Sequence, residues 1–231
     1  MEKTNKFRKA FIFITAAATV SAFVTGCDEN GVITIPSGAT EITVSAKSNN
    51  SALNPPANVV ITEAKAIISQ VEFEQETSHN NQVIKNSPFL VTFNTGGNLT
   101  EMITSYIIRD FYTKAKFQIH KPEDNESVPD PEFVSGSQRY SFIVKGTYNG
   151  IPFVYKSKKS ANIVINFANT VNINLKKMNM TVVFNPAIWF VSGSNSLNPS
   201  NPQNENAIDD NIKNSFRQVF EDENKDGNPD N

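Results

Sequence analysis

The sequence predicts a mainly β protein, an antiparallel β-sandwich with one amphipathic helix near the C-terminus. Apolar and polar residues alternate in several short stretches, turn-forming residues separate these stretches, and a helical spacing of apolar residues appears near the end of the chain. Successive side chains of a strand point to opposite faces, so each alternating stretch can bury one face and expose the other. Many such strands with little helix between them are typical of antiparallel sandwiches.

The first 26 residues have the three-part pattern of an export signal. A basic head precedes an uncharged run of apolar and small residues, 10–24, which is followed by Thr25 and Gly26. The run is shorter than the ~20 apolar residues that a membrane-spanning helix needs. We therefore expect residues 1–26 to be a signal peptide that is removed.

The end of this segment, Val24-Thr25-Gly26-Cys27, resembles the lipobox of bacterial lipoproteins, in which a branched residue and two small residues precede a cysteine. The resemblance implies that Cys27, the single cysteine of the sequence, is acylated and anchors the protein to a membrane. A buried free cysteine is the alternative. The acidic pair 28–29 resembles the surface-export signal of Bacteroidetes lipoproteins, which implies the outer membrane or cell surface; an inner-membrane retention signal is the other interpretation.

The net charge is concentrated at the C-terminus. The chain carries −2, and the signal segment carries +3 from four bases and Glu2, so the remainder carries −5. Residues 205–231 contain eight acids and three bases, which accounts for that whole charge. Nucleic-acid binding needs a basic surface, so the distribution excludes nucleic acid as the expected partner and indicates a cation near the C-terminus.

Residues 27–57 are predicted to form a tether, because Pro, Gly and Asn punctuate them. Two short strands are expected within it, at 32–35 and 41–46.

The sandwich is assigned to residues 58–204. Asn149-Gly150 predicts a two-residue hairpin turn between strands at 140–147 and 152–156. Alternation predicts further strands at 89–93, 111–120, 171–175 and 178–184, and residues 122–137 are expected to form a long acidic loop.

Residues 205–231 are predicted to be a helix that leads into an acidic loop. Ile208, Ile212, Phe216 and Phe220 recur at every fourth position, which places them on one stripe of an amphipathic helix. Asn206 is expected to cap its N-terminus.

Oxygen-bearing side chains recur at every second position after this helix, with a glycine after the third: Asp222, Asn224, Asp226, Asn228 and Asp230. Calcium binds six to eight oxygens, and a glycine permits the sharp turn of such a loop. The segment resembles the calcium loops of EF-hands, dockerins and thrombospondin type 3 repeats, which implies a structural Ca²⁺ ion. The glutamate of the twelfth loop position would fall beyond residue 231, so we expect weak binding or a carboxylate borrowed from loop 122–137. A solvated acidic tail is the alternative.

Few residues suggest a catalyst. His79 and His120 lack the spacing of zinc ligands, and neither a nucleophile elbow nor a phosphate-binding glycine loop occurs. Trp189 is expected in the core rather than at a sugar-binding surface.

We therefore expect a non-enzymatic envelope lipoprotein that binds a ligand or partner, either an envelope protein or a glycan, in adhesion or nutrient capture. Its layout resembles the small β-sandwich lipoproteins of Bacteroidetes-like envelopes. The alternatives are a carbohydrate hydrolase that uses paired carboxylates and a purely structural envelope component.

Overall fold

The structure is a computed structural model and describes residues 36–49 and 58–230. Cys27 and the strand predicted at 32–35 lie outside these residues. The described chain contains one α-helix, α1 (Glu205–Asn214), three short 3₁₀-helices (Pro131–Phe133, Pro186–Ile188 and Pro202–Asn204) and the following strands: β1 (Ala39–Ser48), β2 (Val59–Gln75), β3 (Asn81–Phe93), β4 (Thr100–Ile108), β5 (Asp110–Ile119), β6 (Val134–Ser135), β7 (Gln138–Arg139), β8 (Phe142–Tyr148), β9 (Ile151–Ser157), β10 (Ala161–Ile173), β11 (Lys177–Phe184), β12 (Val191–Ser192), β13 (Asn195–Ser196) and β14 (Phe216–Glu221).

Four strands form the first sheet in the order β14-β11-β1-β4. β1 pairs with β4 in antiparallel orientation and with β11 in parallel orientation, so that Val44 lies between Ile103 and Met180. The sheet therefore joins strands from both ends of the described chain, and its one parallel pair is the exception to the predicted antiparallel pairing.

The second sheet is organised around the long strand β2. The order is β10-β5-β2-β8-β9, and β3 also pairs with β2. β8 pairs with the first half of β2 and β5 with its second half. The predicted hairpin is confirmed: Asn149 and Gly150 join β8 and β9 with φ of 52° and 78°, and positive values at both positions suit a two-residue type I′ turn.

Apolar residues from both sheets share one core, which confirms the mainly β fold with a single helix near the C-terminus. Aromatic rings dominate its centre, where Phe93 and Phe184 contact edge to face at 5.1 Å between centroids and Phe216 packs on both. Trp189 is 0 % exposed and stacks on Phe184, as expected of a core residue. Within the described residues its indole N–H has no hydrogen-bond partner.

The predicted helix is shorter than the sequence pattern indicated. α1 buries Ile208 and Ile212 but ends at Asn214, and Phe216 and Phe220 belong to β14. The Ser215 hydroxyl donates to the carbonyl of Ile212 at 2.7 Å, and the next residue pairs with β11.

The predicted helix cap is also wrong. Asn204 occupies the N-cap position but makes no side-chain capping bond, and its Nδ2 donates instead to the carbonyl of Asn198 at 3.1 Å. Asn206 lies inside the helix, where its Oδ1 accepts a hydrogen bond from Lys159 Nζ at 2.7 Å.

Two segments that the sequence placed outside the sandwich lie in its first sheet. β1 begins and ends within the predicted tether 27–57, yet it is a central strand whose inward residues Ile42, Val44 and Ala46 are buried. β14 lies beyond the predicted boundary at 204 and pairs with β11. The strand expected at 41–46 is confirmed, but the boundaries at 57 and 204 divide strands of one sheet.

The acidic segment 122–137 packs against the outer face of the second sheet. Phe133 is buried there with Ile67 and Ile143 in a small second apolar cluster. In the described part of the chain, no helix is both long enough and apolar enough to cross a bilayer.

Candidate metal loop

The loop that follows β14 covers the outer face of the first sheet. The outward side chains of β1 and β11 at this place are small and polar, but they are buried: Thr43, Ser45, Asn179 and Thr181. Asn179 donates from Nδ2 to the carbonyl of Asp222 at 3.0 Å, and its own carbonyl accepts from the backbone N–H of Asp222. The first predicted metal ligand is therefore fixed on the sheet by backbone and side-chain hydrogen bonds.

Asp222 is 0 % exposed and its carboxylate accepts hydrogen bonds from neutral donors. Thr181 Oγ1 donates to Oδ2 at 2.6 Å, the backbone N–H of Gly227 donates to the same oxygen at 3.0 Å, and the N–H of Asp226 donates to Oδ1 at 3.0 Å. Among the described residues, no lysine, arginine or histidine forms an ion pair with it. A charged acceptor strengthens each of these bonds, but the negative charge itself has no counter-ion.

The alternating oxygens form a series of local turns. Asn224 Oδ1 accepts from the N–H of Asp226 at 2.9 Å, and Asp226 Oδ1 accepts from the N–H of Asn228 at 2.7 Å. The Asp230 carboxylate accepts from the N–H of Glu223. The predicted ligands thus lie in one compact loop, although a strand rather than the expected helix leads into it.

Lys47 of β1 also holds this loop, and the sequence analysis missed it. Its Nζ donates to the carbonyl of Gly227 at 2.8 Å and is 3.4 Å from that of Asp226. Gly227 has φ of +76°, and a Cβ there would lie 2.5 Å from Lys47 Nζ. The turn therefore favours glycine, and a larger residue would also displace the end of the Lys47 side chain, which is 180 residues away in sequence. No local pattern could have paired them.

The donor atoms suit calcium, but they are not gathered around one point. Of the residues that the structure describes, no three His, Cys, Asp or Glu side chains form a group arranged to hold a metal. Asp226 and Asp230 each use one carboxylate oxygen in a turn, and the second oxygen of each has no partner in the described part of the chain. Burial, followed by the nearby charges of Glu223 and Asp230, raises the pKa of Glu221. Negative charges are therefore close together beside the loop. To bind an ion, the second carboxylate oxygens of Asp226 and Asp230 would have to turn toward the ion.

The acidic segment 122–137 does not supply the carboxylate that the loop lacks. Glu132 contacts Lys65 at 2.7 Å and Lys145 at 2.6 Å, and Asp130 also contacts Lys65. These lysines belong to the second sheet, so the segment lies on the opposite outer face of the sandwich. His120 pairs there with Glu126 at 2.7 Å, and His79 lies in the exposed turn after β2.

A cavity of about 310 Å³ lies beside α1. Asp209 and Asp210 both line it, and Asp209 accepts a hydrogen bond from Tyr155 Oη at 2.6 Å. Burial, followed by this hydrogen bond, raises the pKa of Tyr155. Adjacent residues of a helix do not face each other, so the two acids do not form the opposed carboxyl pair of a glycoside hydrolase.

Comparison with known proteins gives little further information. No protein-family model and no curated protein matches the chain. Among solved structures, the chain is similar to MbnP from Methylosinus trichosporium, with a TM-score of 0.46 and 8 % sequence identity over 71 % of this chain and 82 % of that chain. A likeness at this level carries no statement about function.

Proposed function

We propose that the chain is a lipid-tethered envelope protein whose β-sandwich binds a ligand or partner without catalysing a reaction, at the outer membrane or cell surface. The N-terminal export pattern and the lipobox-like Val24-Thr25-Gly26-Cys27 support the anchor. The first core strand begins at Ala39, so a short segment joins the cysteine to the fold.

We further propose that residues 222–230 bind a structural calcium ion weakly. The observation that carries this proposal is the carboxylate of Asp222, which is fully buried without a cationic partner in the described chain. A buried charge is costly unless it is compensated, and an ion coordinated by Asp222, Asp226 and Asp230 would compensate it. Asn224 and Asn228 would add neutral oxygens.

The anchor is tested on the protein as its native host makes it. Mass spectrometry should find Cys27 as the first residue, with its mass increased by acyl chains. Cys27→Ser should move the protein from the membrane fraction to the soluble fraction. A native product that retains Met1, or that carries an unmodified thiol at position 27, would contradict the anchor.

Calcium binding is tested by thermal unfolding of the mature protein. Extracellular calcium modules bind at ~10⁻⁴–10⁻³ M, so 10 mM calcium, roughly 10 to 100 times such a Kd, should raise the Tm by roughly 3–10 °C. The double variant Asp226→Asn with Asp230→Asn should lose this increase, because it removes the two free carboxylate oxygens.

The matched control is Asp210→Asn, which removes an exposed acid of α1. It should retain the calcium-dependent increase. Equal increases in all three proteins, or none in the wild type, would remove calcium from the proposed function.

Ligand binding is tested by applying the mature domain to glycan and envelope-protein arrays. Reproducible binding to one class, without turnover of the bound compound, is the expected result. Cleavage of a bound glycan would instead favour the hydrolase.

A further inference from the structure

One end of the sandwich, which we call the tether end, consists of Gly38, Arg109, Phe111, Leu175 and Lys176. The backbone N–H of Arg109 donates to the carbonyl of Gly38 at 3.0 Å. Thr40 Oγ1 donates to the carbonyl of Leu175 at 2.5 Å, and Phe111 lies opposite Asn172 on β10. These bonds bring the turns β4–β5 and β10–β11 together beside the start of β1.

The tether end exposes two large apolar side chains. Phe111 is 45 % exposed and Leu175 is 40 % exposed. Single exposed apolar residues are common on soluble proteins, so these two do not define a binding surface by themselves. Their position where the chain enters the fold gives them their significance.

The tether end carries charges of both signs. Arg109 and Lys176 are exposed and form no ion pair within the described residues. Of the neighbouring acids, Glu41 pairs with Lys177 at 2.8 Å, whereas Glu76 is exposed and keeps its negative charge while it accepts from Thr170 Oγ1 at 2.8 Å.

Asp110 also keeps its negative charge, since it accepts only from neutral donors, Gln75 Nε2 and the N–H of Phe111. Arg109 and Lys176 are the cations of this end that are available to lipid phosphates.

The proposed tether is short compared with the sandwich. Cys27 and Pro36 are separated by nine residues, which span at most about 32 Å when fully extended. β2 has 17 residues and runs from the far end to the tether end, a path of about 56 Å at 3.3 Å per residue. An acylated Cys27 would thus hold Pro36, beside the tether end, within about 32 Å of the bilayer.

We propose that the tether end rests in the headgroup layer of the bilayer, with Phe111 and Leu175 inserted at the interface and Arg109 and Lys176 beside lipid phosphates. The inference rests on the proposed acylation of Cys27. Apolar side chains and cations at one surface are the combination that binds bilayer interfaces.

The test uses an environment-sensitive fluorophore at two positions. Leu175→Cys and Ile151→Cys are each labelled in the lipidated protein, in which Cys27 has no free thiol, and reconstituted into phosphatidylcholine–phosphatidylglycerol vesicles. Ile151 is the matched control because it is an apolar residue, 70 % exposed, at the first position of β9, at the far end beside the start of β2. The label at 175 should shift to shorter wavelength and be quenched several-fold more strongly by nitroxide-bearing lipid than the label at 151.

The outcomes separate the two proposals. Protein that floats with the vesicles but whose label at 175 emits as in water, or is quenched no more than the label at 151, overturns the inference and leaves the anchor standing. Protein that does not float and lacks acyl chains by mass overturns both. In the floating protein, Arg109→Gln with Lys176→Gln should reduce the shift at 175 on vesicles that contain phosphatidylglycerol.

Discussion

The two outer faces of the sandwich hold a carboxylate by different kinds of interaction. On the first sheet, the fully buried carboxylate of Asp222 is held by a hydroxyl and backbone N–H groups. On the second sheet, Glu74 is also buried, but it is held by Lys114 at 2.5 Å and Lys116 at 2.7 Å, whose side chains are partly exposed. On the first sheet only hydroxyl and N–H dipoles hold the carboxylate, whereas on the second sheet two cations pair with it.

This difference follows from what covers each face. The loop 222–230 excludes water from the small polar side chains on the outer face of the first sheet, and the one lysine that contacts it in the described chain, Lys47, donates to loop carbonyls and forms no ion pair with Asp222. The second sheet remains half exposed, so lysines can pair with carboxylates while their stems lie on the sheet. The stability contributed by the covered outer face of the first sheet should therefore depend on its hydrogen bonds. The stability contributed by the open outer face of the second sheet should depend on pH and salt.

The largest expected effect is that of Asp222→Ala. The change leaves Thr181 Oγ1 and the N–H groups of Asp226 and Gly227 without their acceptor in a buried place, so we expect a loss of roughly 3 kcal/mol in the free energy of unfolding. Urea denaturation measures it, and Asp210→Ala on the surface of α1 is the control. A loss below about 1 kcal/mol would show that the loop does not cover the sheet in solution.

A smaller effect is expected for Gly227→Ala. The positive φ and the contact with Lys47 should together reduce the free energy of unfolding by about 1–2 kcal/mol. In a Lys47→Ala background the contact is absent but the backbone penalty remains, so the glycine substitution should cost less there. Strict additivity of the two substitutions in urea denaturation would contradict this lysine–glycine contact.

The smallest effect at neutral pH is expected on the open face, for Glu74→Gln. Hydrogen bonds from Lys114 and then Lys116 hold the pKa of Glu74 at about 2, below its usual value near 4.5. A lowered pKa in the folded state stabilises the protein above pH 4.5, and this stabilisation disappears as the pH falls from 4.5 toward 2. The variant should therefore lose less stability than the wild type across that window.

Chemical denaturation at a series of pH values measures this difference. Glu72→Gln is the control, because Glu72 lies two residues earlier on β2 and forms no ion pair in the described structure. If Glu74→Gln and the wild type lose stability in parallel below pH 4.5, the pairing of Glu74 with its lysines contributes nothing in solution.

The sequence predicted strands wherever one face meets the core and the other meets solvent. Alternation identified β5 and β11, and Asn149-Gly150 identified the hairpin of β8 and β9. The pattern failed in β14, where the register shifts opposite Val183 and Phe184. Because of that irregularity, the buried residues Phe216 and Val219 are three positions apart. Buried residues of a helix have the same spacing, so the apolar stripe of Ile208 and Ile212 appeared to continue into β14.

The candidate loop was only partly predictable for a different reason. The alternating oxygens and Gly227 are local, and the sequence contains them in full. The burial of Asp222 depends on Thr181, and the position of Gly227 depends on Lys47, and both partners come from distant strands. The tether prediction met the same limit: Thr43 and Ser45 are polar, and they are buried only because this distant loop covers them.

Because β1 is a central strand, the first sheet forms completely only after both of its neighbouring strands, β4 and β11, have been made. Its neighbour β11 is about 136 residues later in the chain, and the ladder between them cannot close before that strand is present. Contacts between such distant segments form slowly. The first sheet therefore cannot be completed until β11, which ends at Phe184, is available to pair with the free edge of β1.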